Sequence, residues 1–205
     1  MLKAAKRISF HICGAGGALA LAGCTSAVVV ESEFPTPLVE QLPVSIGLVF
    51  EPELRDFIHA EALPRSSTWT IDLGDANLAM LRPLFEAMFA TTREIEDLSP
   101  AAGNAASLDA ILSSTLETFQ FDVPQTTRDE FVEVWLQYRL QLVDANGLLI
   151  VDWPVKGWGK AEVYRDREEA VQRAAIVAMR EAGATISTEF TEQTPVQNWL
   201  LRRSR

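Results

Sequence analysis

Between residues 134 and 155 the chain spells out a β-hairpin. Val134, Leu136, Tyr138, Leu140 and Leu142 alternate with Trp135, Gln137, Arg139 and Gln141. Successive side chains of a strand point to opposite faces, so one face is apolar and the other largely polar. That is the pattern of a half-buried antiparallel strand. Asp144-Ala145-Asn146-Gly147 follows. Asn-Gly accepts positive φ at both central positions of a type I′ turn. Leu148 to Val155 returns, and Pro154 predicts that this returning strand ends at a sheet edge, because proline cannot donate to a ladder. A lone hairpin is marginal in water, so its apolar face must be covered by something else in the chain.

Candidates for that cover lie on both sides. Val44 to Phe50 and Ser67 to Leu73 are β-rich runs ended by Glu51-Pro52 and Gly74. Asp75 is placed to cap a following helix. Leu78, Leu81, Phe85, Met88 and Phe89 then recur at helical spacing, with Pro83 expected to kink this helix or move its start. Thr91 to Leu98 reads as a strand and Ser99 to Ser107 as a loop. Asp109 to Val123 reads as a long strand whose apolar parity changes between Leu116 and Phe119. A β-bulge there lets both halves face the core.

A last helix is predicted over 166–183. Asp166 and Glu169 form an Asp-x-x-Glu variant of the capping box, and Glu169 with Arg173 is an i,i+4 pair. Val171, Ala174, Ala175, Ala178 and Ala182 make a stripe of small residues able to lie close against a sheet, and Gly183 suits a C′ position. Ala184 to Phe190 is either a final strand or a packed extension. The expected order, β-β-α-β-β-β-β-α, describes an α+β fold: a mostly antiparallel sheet with two helices packed on one face.

The N-terminus has a different character. Lys3, Lys6 and Arg7 precede a charge-free apolar run from Ile8 to Leu21, and no acidic residue occurs before Glu31. The run is too short to span a bilayer and reads as a secretory signal. It ends in Leu21-Ala22-Gly23-Cys24, which resembles the lipobox of bacterial lipoproteins at all four positions. The resemblance implies cleavage before Cys24 and acylation of its thiol and new amine. Thr25 follows; in the enterobacterial pattern, Asp at that place retains a lipoprotein in the inner membrane, so its absence implies the outer membrane, facing the periplasm.

The expected organisation is therefore residues 1–23 as signal peptide, 24–43 as a lipidated N-terminus and flexible tether, 44–190 as one periplasmic α+β domain, and 191–205 as a basic C-terminal tail. Pro35, Pro37 and Pro43 would keep the tether extended at about 3.1 Å per residue. Alternatively, Val28 to Val30 pair as a short edge strand. Cleavage removes three bases and no acid, moving the net charge from −10 to −13. That balance weighs against a nucleic-acid partner and against electrostatic adhesion to anionic lipid. Cys13 leaves with the signal, and Cys24 is acylated. The folded part then has no free thiol and no disulfide, and no thiol catalysis.

Motifs for catalysis or cofactors are not found. The chain has no Gly-x-Ser-x-Gly, Walker, His-Glu-x-x-His or Gly-x-Gly-x-x-Gly pattern. His59 reads as an ordinary packed or loop residue. Asp72 with Asp75, and Glu94, Glu96 and Asp97, are better explained as a helix cap and the wet face of a strand. No cofactor is expected beyond the covalent lipid on Cys24. Trp153-Pro154-Val155-Lys156-Gly157-Trp158-Gly159-Lys160 carries two tryptophans beside lysines. Either it is an edge strand whose aromatics cover the sheet, or Trp153 and Trp158 stack on sugars or anchor a partner. In the tail, Trp199 with Leu200, Leu201, Arg202 and Arg203 either touches a membrane or acidic partner or docks on the domain.

Beyond the lipobox, the order of elements is similar at the level of pattern to envelope-assembly lipoproteins. These include the lipopolysaccharide-assembly lipoprotein, auxiliary lipoproteins of envelope ABC transporters and accessory lipoproteins of exopolysaccharide secretion. The resemblance implies a non-enzymatic outer-membrane lipoprotein acting as an accessory subunit in transport or assembly of envelope components. Its partners would be the membrane, through the lipid, and a protein of an envelope complex. Two alternatives remain: a glycan-binding or cell-wall-enzyme-activating lipoprotein, and a periplasmic carrier holding a small ligand between helix and sheet.

Overall fold

The computed structural model describes residues 25–63, 68–98, 108–124 and 130–203. The lipobox and the predicted loop at 99–107 lie outside these. In chain order the elements are β1 (Thr25–Val29), β2 (Leu42–Phe50), the single-turn α1 (Pro52–Arg55), β3 (Ile58–Ala62), β4 (Thr68–Asp72), α2 (Gly74–Met88), β5 (Phe89–Glu94), β6 (Ala110–Asp122), β7 (Phe131–Asp144), β8 (Leu149–Glu162), α3 (Arg167–Glu189) and α4 (Thr194–Arg203). They form a five-stranded sheet in the order β5-β2-β6-β7-β8 and a three-stranded sheet in the order β1-β4-β3.

The fold is α+β, but its sheets are mixed rather than mostly antiparallel. β2 runs parallel to both β5 and β6, and β1 runs parallel to β4. The helices number four among the described residues, not two. The parallel pairings join segments distant in sequence, which local periodicity does not report.

The predicted hairpin is present and long. β7 pairs antiparallel with both β6 and β8, and β8 is the sheet edge that Pro154 required. Val132, Val134, Leu136, Tyr138, Leu140 and Leu142 are buried on the inner face. The bulge expected in β6 is a register shift between Leu116 and Thr118, after which Phe119, Phe121 and Val123 turn to the same core as Leu112 and Leu116. The turn differs in detail from the type I′ expectation. The Gly147 N–H donates to the Asp144 carbonyl, 2.9 Å, the Asp144 N–H donates to the Leu148 carbonyl, 2.9 Å, and Gly147 has a positive φ of 81°. The turn thus spans Asp144–Gly147, with glycine in its last position, as in a three-residue hairpin loop with a bulge. The Asp144 carboxylate accepts from the Asn146 and Leu148 amides and sets this geometry.

α2 and α3 cover the inner face. α3 lies almost in contact with the backbone of β8. A Cβ added to Gly159 would meet the Ala174 carbonyl oxygen at 1.9 Å, and one added to Gly157 would meet that of Ala178 at 2.1 Å. Glycine below and alanine above are what allow so close an approach. α3 begins where expected, with the Asp166 side chain accepting from the Glu168 amide. It does not stop at Gly183 but continues to Glu189, and Gly183 instead faces Met80 of α2. α2 starts at Gly74, whose amide is taken by Asp72, not by the predicted cap Asp75. Its buried side extends beyond the predicted stripe to Ala76, Asn77, Met80 and Leu84, because α2 meets both the sheet and α3. Pro83 sits within α2 without ending it.

The three-stranded sheet packs over the second half of β6: Trp69 meets Phe121 at 5.7 Å, and His59 meets Phe119 at 5.2 Å between ring centroids. β1 overturns the flexible-tether reading for its residues. Thr25 to Val29 pair in register with Thr68 to Asp72, and Val28 and Val30 are buried. The alternative edge strand is the arrangement present. A chain of hydrogen bonds runs through the core. The Tyr138 hydroxyl donates to Asn77 Oδ1 at 2.7 Å, and Asn77 Nδ2 donates to the Leu54 carbonyl at 2.9 Å. It links β7, α2 and α1.

Candidate functional site

The outer face of the five-stranded sheet is where the unexplained side chains collect. Alternation along β7 and β8 sends Phe131, Glu133, Trp135, Gln137 and Arg139 outward, together with Asp152, Lys156, Trp158 and Lys160. Trp135 stands directly opposite Trp158 in the β7–β8 register. They are 39% and 44% exposed, and together form an aromatic pair open to solvent. Gln137 lies opposite Lys156. A shallow concavity of about 390 Å³ is lined here by Thr118, Gln120, Trp135, Leu136, Gln137 and Lys156.

Charge on this face is organised in a ladder. Arg139 bridges Glu117 and Asp152, the latter at 2.6 Å, and Lys160 meets Glu133 at 3.0 Å while sitting 4.4 Å over the Phe131 ring. The hydrogen bonds from Arg139, and next from Gln137, hold the Glu117 carboxyl below its ordinary range. Among the described residues, no carboxylate lies within ion-pair distance of Lys156. Toward β5 the same face is roofed, with Val49, Ile111 and Val143 under Ile95 and Leu98. The face can offer flat aromatic surface, amide and hydroxyl groups and the Lys156 ammonium. No group of three or more His, Cys, Asp or Glu among the described residues is placed to hold a metal ion.

The structure divides the three tryptophans singled out in the sequence. Only Trp158 is on this surface. Trp153, 9% exposed, points inward, because the alternation that exposes Lys156 and Trp158 buries Trp153 and Val155. Trp199, 4% exposed, is packed under α4, and Arg203 lies over its ring and pairs with Asp109. The basic tail is therefore a docked helix at the start of β6 rather than a free membrane-seeking end. Trp135 was the residue missed. Part of the signal was present: the expected Asn146-Gly147 turn sets Trp135 against Trp158, the register shift between Leu142 and Val143 keeps that pairing under the longer loop, and both occupy the polar parity of their strands.

His59 belongs to packing. It lies on β3, 3.1 Å from Glu61, with its ring against Phe119 and Phe121. The helix–sheet interface proposed as a carrier pocket is closed by the contact of Gly157 and Gly159 with α3. The space beside α2 and α3 is a surface groove of about 230 Å³ under Phe34 to Pro37, smaller than typical ligand pockets of roughly 300–1,000 Å³.

The chain matches no family model and no curated protein. Solved structures do share its fold. A Xanthomonas campestris protein of the family DUF330 superposes with a TM-score of 0.52 at 13% identity, over 85% of this chain and 99% of its own. A Helicobacter pylori protein described as a neuraminyllactose-binding hemagglutinin homologue gives 0.55 at 13% identity, over 86% and 99%. A Caulobacter crescentus protein described as a lipoprotein aligns over 46% of this chain and 68% of its own, at 15% identity and a TM-score of 0.31, too slight a likeness to argue from. At these identities the first two comparisons concern architecture alone. Among the described residues no helix is long and apolar enough to cross a membrane.

Proposed function

We propose that this chain is a non-enzymatic lipoprotein of the outer membrane, anchored through Cys24 and facing the periplasm. It serves as an accessory subunit in the transport or assembly of envelope components, and it binds its partner through the outer face of β7 and β8. The observation that carries the binding role is the Trp135–Trp158 pair. Two adjacent half-exposed indoles are unusual on a surface with no cover, since aromatic anchors concentrate binding energy. Covering what remains exposed of each, on the order of 80–100 Å², would contribute roughly 2 kcal/mol per ring. The anchoring role rests on the complete match of Leu21 to Cys24 to the lipobox.

A second reading, glycan binding, draws on the concavity beside the pair, where Thr118, Gln120, Gln137 and Lys156 supply hydrogen-bonding groups around an aromatic floor. The Helicobacter pylori protein described by a glycan shares only its fold with this chain. One experiment separates the readings. A photo-crosslinking residue at Gln137 in the acylated chain should trap one discrete protein, and Trp135→Ala/Trp158→Ala should abolish the adduct. If the double variant crosslinks unchanged, the face is not the binding site. Retention on insoluble peptidoglycan that the same variant loses would replace the protein partner with a glycan. Cys24→Ser should release the chain from the membrane fraction; if it stays, the anchor reading fails.

A further inference from the structure

The anchor and the folded domain are separated by no spacer. Thr25, covalently next to Cys24, already pairs with Thr68 in β1. One residue reaches at most about 3.8 Å between Cα atoms. Acyl chains on Cys24 would therefore hold one particular end of the domain against the bilayer, not a domain swinging on the extended tether expected from the prolines.

That end can be identified. Along the small sheet, Trp69 beside Ser26 meets Phe121, whereas Phe57, further along, meets Phe119. Thr25 therefore lies toward the end of β6. There β6 pairs with the start of β7, Asp122 with Glu133, and β7 with the end of β8, Phe131 with Glu162. The Val163 amide donates to the Glu130 carbonyl and joins the β8–α3 connection to the same end. The turn at Asp144–Gly147 and the docked α4, paired through Arg203 with Asp109, belong to the opposite end. β7, 14 residues long, separates the two by roughly 45 Å.

The near end carries two exposed aromatics with cations laid on them. Phe131 is 46% exposed under Lys160, and Tyr164 is 72% exposed, with Arg173 5.5 Å over its ring. Arg165 and Arg167 follow Tyr164, and Asp122, Glu130, Glu133, Glu162, Asp166, Glu168 and Glu169 outnumber the basic groups of this end, with Glu169 paired to Arg173. The acidic excess rules against adhesion by charge to an anionic surface and leaves aromatic insertion. Rings with a polar or cationic partner suit the headgroup region, where long basic side chains also lie comfortably.

We propose that this end rests on the lipid surface, with Phe131 and Tyr164 at headgroup depth. Trp135, four positions along β7 from Phe131, then faces the periplasm within about 15 Å of the bilayer. The far end, with Leu148 and Leu149 70% and 53% exposed, points away from the membrane. This orientation rests on acylation of Cys24 and adds to it which face meets lipid.

The test uses the mature acylated chain, in which an introduced cysteine is the sole free thiol. Fluorophores are placed at Arg165→Cys or at Asn146→Cys, and the protein is reconstituted in phosphatidylethanolamine–phosphatidylglycerol vesicles containing nitroxide-labelled lipid. Intact mass establishes the acyl group first. The probe at 165 should lose most of its emission and the probe at 146 almost none. Adding Phe131→Ser/Tyr164→Ser should weaken the quenching at 165 without abolishing it, because the anchor still holds this end at the bilayer. A chain without the acyl mass overturns the anchor and this inference together. An acylated chain whose probe at 146 is quenched, or whose two probes are quenched alike, overturns the orientation alone.

Discussion

Replacing Gly159 by alanine tests the claim that α3 is held against β8 by the absence of side chains. The added Cβ would fall 1.9 Å from the Ala174 carbonyl oxygen and 2.5 Å from the Ala178 amide nitrogen. Both are backbone atoms of a helix locked by its own hydrogen bonds, so no side chain can rotate aside. An ordinary contact needs about 3.3 Å, and α3 or β8 must therefore separate locally by roughly 1.4 Å. Overpacking of a well-filled core costs typically 1–3 kcal/mol, while the reduced freedom of the unfolded chain returns about 0.4–1 kcal/mol. A net loss of about 1–2 kcal/mol is expected. Gly183→Ala is the matched control. It lies inside the same helix, where its Cβ would sit 3.4 Å from Met80 Sδ, an ordinary contact with a flexible side chain. There helix propensity favours alanine by about 0.8–1 kcal/mol. Urea denaturation followed by circular dichroism should thus move the two midpoints in opposite directions with unchanged slopes. If Gly159→Ala is as stable as the parent, the helix is not seated on the strand as described.

Two further substitutions probe the polar parts of the fold. Tyr138→Phe keeps the ring and removes the donor to Asn77 Oδ1. The orphaned acceptor should cost about 1–3 kcal/mol in the same denaturation assay, and no loss would mean the bond is not made in solution. The Asp144 carboxyl is held below its ordinary value, first by the Leu148 amide and, after the opposing cost of burial, by Asn146. A depressed folded pKa means that its stabilisation is present above the unfolded value, about 3.9, and is lost as the pH falls through the lower folded value. Carboxyl-carbon NMR should show Asp144 titrating below an unstructured aspartate, and Asp144→Asn should flatten part of the acid limb of stability; a normal titration would refute the turn geometry.

What sequence pattern could and could not reveal follows from the range of each interaction. The β7–β8 hairpin, the bulge in β6 and the Asp166 cap were legible because strand alternation, a change of parity and a helix start are local signals. β1 and β3 were obscured for different reasons. β1 is short and follows directly on the lipobox, so its prolines downstream suggested a tether. β3, around His59, has exposed Ile58 and Glu61 and shows no clean alternation. The parallel pairing of β2 with β5 and β6 joins segments such as Ile46 with Thr92 and Ala110, too far apart for any window along the chain to contain. Gly183 misled because a C-terminal glycine signal and a helix–helix contact use the same residue.

The candidate site and the core are two consequences of one short stretch. In Gly157-Trp158-Gly159 the strand's period of two sends both glycines inward, where they admit the Ala174 and Ala178 turns of α3. The same period sends Trp158 outward, where the register places it beside Trp135. A shift of β8 by one residue would put Trp158 under α3 and the glycines in solvent, so the closeness of the helix forbids it. The tight packing on one face therefore fixes the aromatic pair on the other, and a binding surface with rigid, pre-placed rings costs less entropy to use than one assembled from a loop.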